Sequence, residues 1–254
     1  MLVKKALWIV LLVSVLSDCT SVGSSNKAGN SEASFNQHMT LALQYIGRKN
    51  NKLARVHLKK AKQFNSSSAK AQLHSGYALL YQSEQDMGLA EQHYRKAIGI
   101  DQNNSMVRYN FATFLYNHRR FAEALEQIEV ASNDLDYARR PQAFYISGLI
   151  QRQLNRSAEA LRSFVKVNQL LPEYAPPWLN TAEIYFEHKR FLEAVQALQQ
   201  YSDLASPTAK SLWLAVRLEE YFGNRDAVAS QGLKLKKLFP YSSENREYKE
   251  WLQR

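Results

Sequence analysis

Bulky apolar residues and alanines recur along residues 35 to 240 at an interval far longer than the period of one helix or strand. The decapeptides YNHRRFAEAL (116–125) and FEHKRFLEAV (186–195) are near copies: a polar, basic run, then Phe, then Glu-Ala. A weaker copy, RQLNRSAEAL at 152–161, divides the 70-residue interval into steps of 36 and 34. Such a period marks repeated supersecondary units, none of which can bury its apolar face without a neighbour. The units are expected to be helical. Nine Gly and six Pro in 254 residues, with Ala, Leu, Gln and Glu throughout, leave too little material for strands and their turns.

Small and bulky positions align in five registers. The first, from Phe35, carries Ala42, Tyr45, Ala54, Leu58 and Ala61; the second, from Ala71, carries Ala78, Tyr81, Ala90, Tyr94 and Ala97. The third has Ala112, Leu115, Phe121, Ala124, Ile128 and Ala131. The fourth has Phe144, Gly148, Ala160, Phe164 and Pro172, with Gln151 in an aromatic slot, and the fifth has Trp178, Ala182, Tyr185, Phe191, Ala194 and Leu198. A degenerate sixth, from about 208, shows Trp213, Ala215, Leu218, Ala227 and Pro240, its two halves one residue out of register. Small residues at positions 8, 20 and 27 with large ones at 11 and 24 resemble the tetratricopeptide repeat, in which two antiparallel helices approach closely at the small positions. The resemblance implies an all-α, right-handed superhelical solenoid of about six repeats, at about 35–68, 71–104, 105–138, 141–174, 175–208 and 208–241. The ending YSSENREYKEWLQR reads as a C-terminal capping helix, with Ser242 or Ser243 as N-cap and Tyr248, Trp251 and Leu252 on one side.

The chain opens with a short basic stretch and an apolar run from Ala6 to Leu16, the layout of a signal peptide over 1–18. Cys19 is the only cysteine, which excludes internal disulfide frameworks and cysteine-ligated metal clusters. LSDC at 16–19 resembles the bacterial lipobox through Leu16, Ser17 and Cys19, with Asp18 standing where that family carries a small residue. The resemblance implies a lipidated Cys19. Thr20 in the next position implies sorting to the outer membrane, on its periplasmic face. Residues 19–34, rich in Ser, Gly and Asn, are expected to be the lipidated terminus and a flexible tether to a repeat domain over 35–254.

The net charge of +10 adds little to this picture, because the densest basic runs, HLKKAK and LKLKK, sit at helical spacing among apolar residues, as on solvated helix faces. No phosphate-binding glycine loop, nucleophile elbow or HExxH is present, and Glu219 and Glu220 point apart on one helix. Enzyme activity, cofactor and metal are not expected. His118 and His188 share a repeat position but fall on the order of 20 Å apart at a repeat rise of about 10 Å, so they read as turn residues. Tyr109, Tyr116, Tyr145 and Phe186 fall at positions 5 and 12 of their repeats, which line the concave surface of this architecture. An exported protein meets little nucleic acid, so these aromatics read as a peptide- or protein-binding lining.

The block WLNTAEIYF from Trp178, the AEAL turns and the ending WLAVRLEEYFGNRDAVASQGLKLKKLFP from Trp213 resemble the pilotins of type IV pilus assembly, the PilF/PilW family. That resemblance implies a lipoprotein that binds the secretin, the outer-membrane ring through which the pilus passes, and promotes its localisation and multimerisation. A tetratricopeptide adaptor for outer-membrane protein assembly or for peptidoglycan hydrolases is the alternative.

Overall fold

The computed structural model describes residues 23–64 and 66–253, and among them every regular element is an α-helix. Twelve helices form six hairpins: α1 (Gly23–Gly47) with α2 (Asn51–Ala61), α3 (Ser67–Ser83) with α4 (Met87–Ile100), and α5 (Ser105–Asn117) with α6 (Phe121–Asn133). They continue with α7 (Arg140–Gln153) and α8 (Ser157–Leu170), α9 (Ala175–Glu187) and α10 (Phe191–Leu204), and α11 (Ala209–Tyr221) and α12 (Arg225–Leu238). A thirteenth, α13 (Ser243–Trp251), follows them. First helices touch one another along the stack, α1 on α3, α3 on α5, α5 on α7, α9 on α11, and α11 on α13, whereas no two second helices make a comparable contact. That asymmetry curves the stack and puts the first helices on its inner face.

All six hairpins turn in the same way. The residue two places after each first helix has a left-handed backbone, with φ between 56° and 62° at Lys49, Gln85, Arg119, Asn155 and Lys189 and 75° at Gly223. The next amide then reaches back to the helix, Asn50 to Tyr45 O at 2.8 Å, Arg120 to Leu115 O at 2.9 Å, Arg190 to Tyr185 O at 2.8 Å. This double closure is the Schellman motif. The near-identical decapeptides of repeats 3 and 5 therefore encode this turn and the start of the second helix. Only Gly223 adopts the left-handed conformation without steric cost. Arg119→Gly should raise the thermal unfolding midpoint, by a stability gain of about 0.5–1 kcal/mol.

The alanine slots assigned from sequence, Ala42, Ala54, Ala61, Ala78, Ala90, Ala97, Ala112, Ala124, Ala131, Ala160, Ala182 and Ala194, are fully buried. Gly148 shows why the slot must be small: a Cβ there would lie 2.6–2.9 Å from the Phe164 ring, the large residue of the same repeat. Gln151 survives in an aromatic slot because Ser163 Oγ donates to its side-chain oxygen at 2.7 Å inside the core.

Three expectations are corrected. The sixth repeat is not out of register: its slots are the buried Val216 and Val228, each 34 residues after Ala182 and Ala194, while Ala215 and Ala227 are only partly covered. Helix α1 begins at Gly23, so most of the stretch expected as tether is helical; it lacks proline, and the helix is held by Phe35 and Met39, both buried against the first hairpin. In the capping helix, Ser242 is the N-cap and Tyr248 and Trp251 pack inward, but Leu252 ends the helix half exposed. Residues 1–18 and Cys19 lie outside the described residues.

Candidate functional site

The four aromatics singled out from sequence all stand, half buried, on first helices of the inner face: Tyr109 and Tyr116 on α5, Tyr145 on α7 and Phe186 on α9. The ring of Tyr109 lies under the Arg139 guanidinium, 4.6 Å from its centroid, and 6.3 Å from the ring of Tyr137. Tyr145 packs edge-on against Tyr174 at 5.4 Å and against Phe164 at 5.9 Å. Burial pushes the Tyr145 phenol up to about 12, and the nearby phenols of Tyr174 and Tyr116 and the Glu183 carboxylate add to the same effect. Tyr174 in turn feels Tyr109. Tyr109, Tyr116, Tyr145 and Tyr174 thus form one aromatic neighbourhood spanning repeats 3 and 4.

Phe186 belongs to the next section of the same surface. Arg217 of α11 lies over its ring at 4.5 Å and over Trp213 at 5.4 Å. Burial pulls the Arg217 guanidinium down, with Glu247, Glu183 and Glu187 opposing. Arg152 of α7 forms an ion pair with Glu187 at 2.6 Å, which ties repeat 4 to repeat 5. Glu183, between these groups, forms no ion pair among the described residues, and burial raises its pKa. A carboxylate whose folded-state pKa exceeds its unfolded one contributes stability below the unfolded pKa and loses it as pH rises through the folded pKa. Glu183→Gln is therefore expected to raise the denaturant midpoint at neutral pH and to leave it unchanged in acid, where the wild-type carboxyl is already protonated.

Several members of this surface were not singled out from sequence. Tyr137 and Tyr174 sit in the loops that follow α6 and α8, outside positions 5 and 12 of any repeat and not in register with each other. Arg139, Glu183 and Arg217 carry no pattern in the sequence, since their roles depend on neighbours one repeat away. Three polar atoms on or beside the surface, Tyr137 Oη, Gln142 Oε1 and Arg217 Nε, are buried without a hydrogen-bond partner.

Among the described residues no group of three or more His, Cys, Asp or Glu converges as a metal site, and no helix is long and apolar enough to cross a membrane. His118 and His188 are the C-caps of α5 and α9, and His118 Nδ1 lies 2.7 Å from the Phe114 carbonyl oxygen.

The tetratricopeptide repeat family pattern matches residues 71–104. The chain is 34% identical over 252 residues to the type IV pilus assembly protein PilF of Pseudomonas aeruginosa, with 98% of each chain covered. The solved structure of Pseudomonas aeruginosa PilF superposes with a TM-score of 0.78 at 32% identity, covering 87% of this chain and 98% of that one. PilW, a widely conserved type IV pilus biogenesis factor, superposes with a TM-score of 0.68 at 20% identity, covering 84% and 97%, and so shares the fold. Six hairpins turned alike, a capping helix and end-to-end identity with a pilus assembly protein lead to one conclusion: the chain belongs to the PilF family of tetratricopeptide-repeat proteins of type IV pilus biogenesis.

Proposed function

We propose that this chain is a pilotin: an outer-membrane lipoprotein, anchored through Cys19, that binds the type IV pilus secretin on its inner face and promotes secretin multimerisation. The observation that carries the reading is the aromatic surface from Tyr109 to Phe186 on the first helices. Half-buried aromatic anchors clustered on a concave repeat face are the anatomy of a binding hot spot. The mechanism needs no bond-making. Holding secretin segments at the membrane raises their local concentration where the ring must form. Because α1 begins at Gly23, the link from Cys19 spans at most about 15 Å, which keeps repeat 1 close to the bilayer.

The test is to crosslink intact membranes, capture the protein and look for secretin by mass. Wild type should capture secretin, and Cys19→Ser should keep its helical circular dichroism, leave the outer-membrane fraction and leave the secretin largely monomeric. A serine variant that stays in the outer membrane would refute the lipid anchor. Capture of other proteins without secretin would refute the pilotin reading.

A further inference from the structure

Positions 38 and 74 on the first helices, and 57 and 93 on the second, are repeat equivalents 36 residues apart, and all four are histidine. In each repeat the pair meets across the hairpin, Nδ1 to Nδ1, at 3.2 Å for His38 and His57 and 3.0 Å for His74 and His93. The third repeat places Arg108 and Gln127 at the same positions, joined by an Nη1 to Oε1 hydrogen bond of 2.5 Å. This seam therefore joins the two helices with polar side chains, and only repeats 1 and 2 build it from two metal-ligand side chains.

Two geometric facts make the histidine pairs as compatible with a shared metal ion as with an N–H···N hydrogen bond. An ion at the usual metal–imidazole distance of about 2.0–2.1 Å from both nitrogens would subtend roughly 90–106° between them, within the range of octahedral and tetrahedral sites. The rings are also held in place: Tyr45 stacks on His57 at 5.5 Å, and Tyr77 and Tyr81 pack on His93 at 5.4 and 5.3 Å. We propose that repeats 1 and 2 each bind one imidazole-preferring divalent metal ion, zinc or copper, through the paired Nδ1 atoms.

The surroundings decide which ions fit. A cavity of about 490 Å³ opens beside His74 and His93, lined by Lys62, Lys70, Phe64, Leu73, Tyr77 and Tyr81, with no carboxylate. Hard cations such as calcium and magnesium require oxygen ligands and find none here, whereas imidazole suits zinc and copper. Lys62 and Lys70 line the same cavity, so the site carries positive charge of its own. The lysines weaken the binding, and with two protein ligands the ion keeps open positions for water or for a side chain of another protein.

The test uses tag-free, full-length protein in detergent, titrated with zinc and with copper by calorimetry, with nitrogen hyperfine structure read by electron paramagnetic resonance for copper. Wild type should bind two ions per chain with two nitrogen ligands each. His38→Gln and His74→Gln should each bind one, the double variant none, and Arg108→Ala two, with circular dichroism confirming the helical fold of every variant. No saturable uptake by wild type would mean that the pairs are N–H···N hydrogen bonds only and would overturn the proposal. Uptake unchanged by the histidine substitutions, or copper without two-nitrogen coupling, would do the same.

Discussion

Gly232→Leu is expected to unseat the C-terminal helix. Gly232 occupies the position of α12 that holds Leu58, Tyr94, Ile128, Phe164 and Leu198 in the five preceding repeats. A Cβ built there would lie 2.0 Å from the hydroxyl of Tyr248 and 2.2 Å from its ring, so the space that each earlier repeat fills from within is filled in the last by a side chain of α13. Tyr248 cannot step aside cheaply, because its ring stacks on Trp251 at 5.9 Å and meets Trp213 at 6.0 Å. Trp213 in turn donates from Nε1 to the Glu247 carboxylate at 2.8 Å. Restoring the large residue of the repeat therefore removes the cap. A nine-residue helix has no stability of its own and would unfold once undocked. The cost should be about 2–3 kcal/mol, the range for overpacking a close contact. It should appear as red-shifted tryptophan fluorescence and as protease cleavage within residues 240–254. Gly99→Ala, on α4 with nothing within 4 Å of the added carbon, should instead stabilise by about 0.5–1 kcal/mol. Equal unfolding midpoints for the two variants would show that Tyr248 is not wedged against Gly232.

That contact also shows what the sequence could and could not reveal. Ala124 or Ala194 is legible as a slot because its neighbours lie within the same repeat and recur at a fixed spacing. Gly232 looks like a defect in that pattern, since the residue that completes it comes from outside the repeat. The sixth repeat looked out of register for a similar reason. Alanine or glycine fills the equivalent slots of the other repeats, whereas Val216 and Val228 occupy them in the sixth. The turns were legible as basic runs, yet their common geometry was not, because five of the six left-handed residues are not glycine. On the inner face, positions 5 and 12 named Tyr109, Tyr116, Tyr145 and Phe186 directly. The groups that complete the surface, Tyr174 and Tyr137 from loops and Arg217 from the following repeat, depend on superhelical curvature, which no single repeat encodes. The histidine seam was spelled out by an exact 36-residue spacing, but its significance lies in a cross-helix distance.

Under the proposed function, Tyr109→Ala combined with Tyr145→Ala should abolish secretin ring formation while the lipoprotein still reaches the outer membrane. Both rings are half buried, so each truncation exposes or vacates some core, and loss of the Tyr145 ring in particular removes a packing partner of Phe164 and Tyr174. The expected stability loss is about 2 kcal/mol, within what a six-repeat stack tolerates. The expected loss of binding is larger, several kcal/mol or at least about a hundredfold in Kd, because two aromatic anchors at the centre of a contact dominate its energy. Tyr145→Phe separates the two effects. It keeps the ring and its packing and removes only the hydroxyl, so it should fold like wild type and bind nearly as well if the ring is the anchor. Ring assembly is scored from heat-resistant secretin multimers on gels, and folding is checked in the same cells by the protein's steady-state level. If the double variant is degraded before assembly can be scored, purified protein held below its unfolding midpoint gives the answer by direct titration with secretin fragments. A folded double variant that binds and assembles secretin as wild type does would refute the inner-face site, and would move the contact to the second helices or to repeat 1.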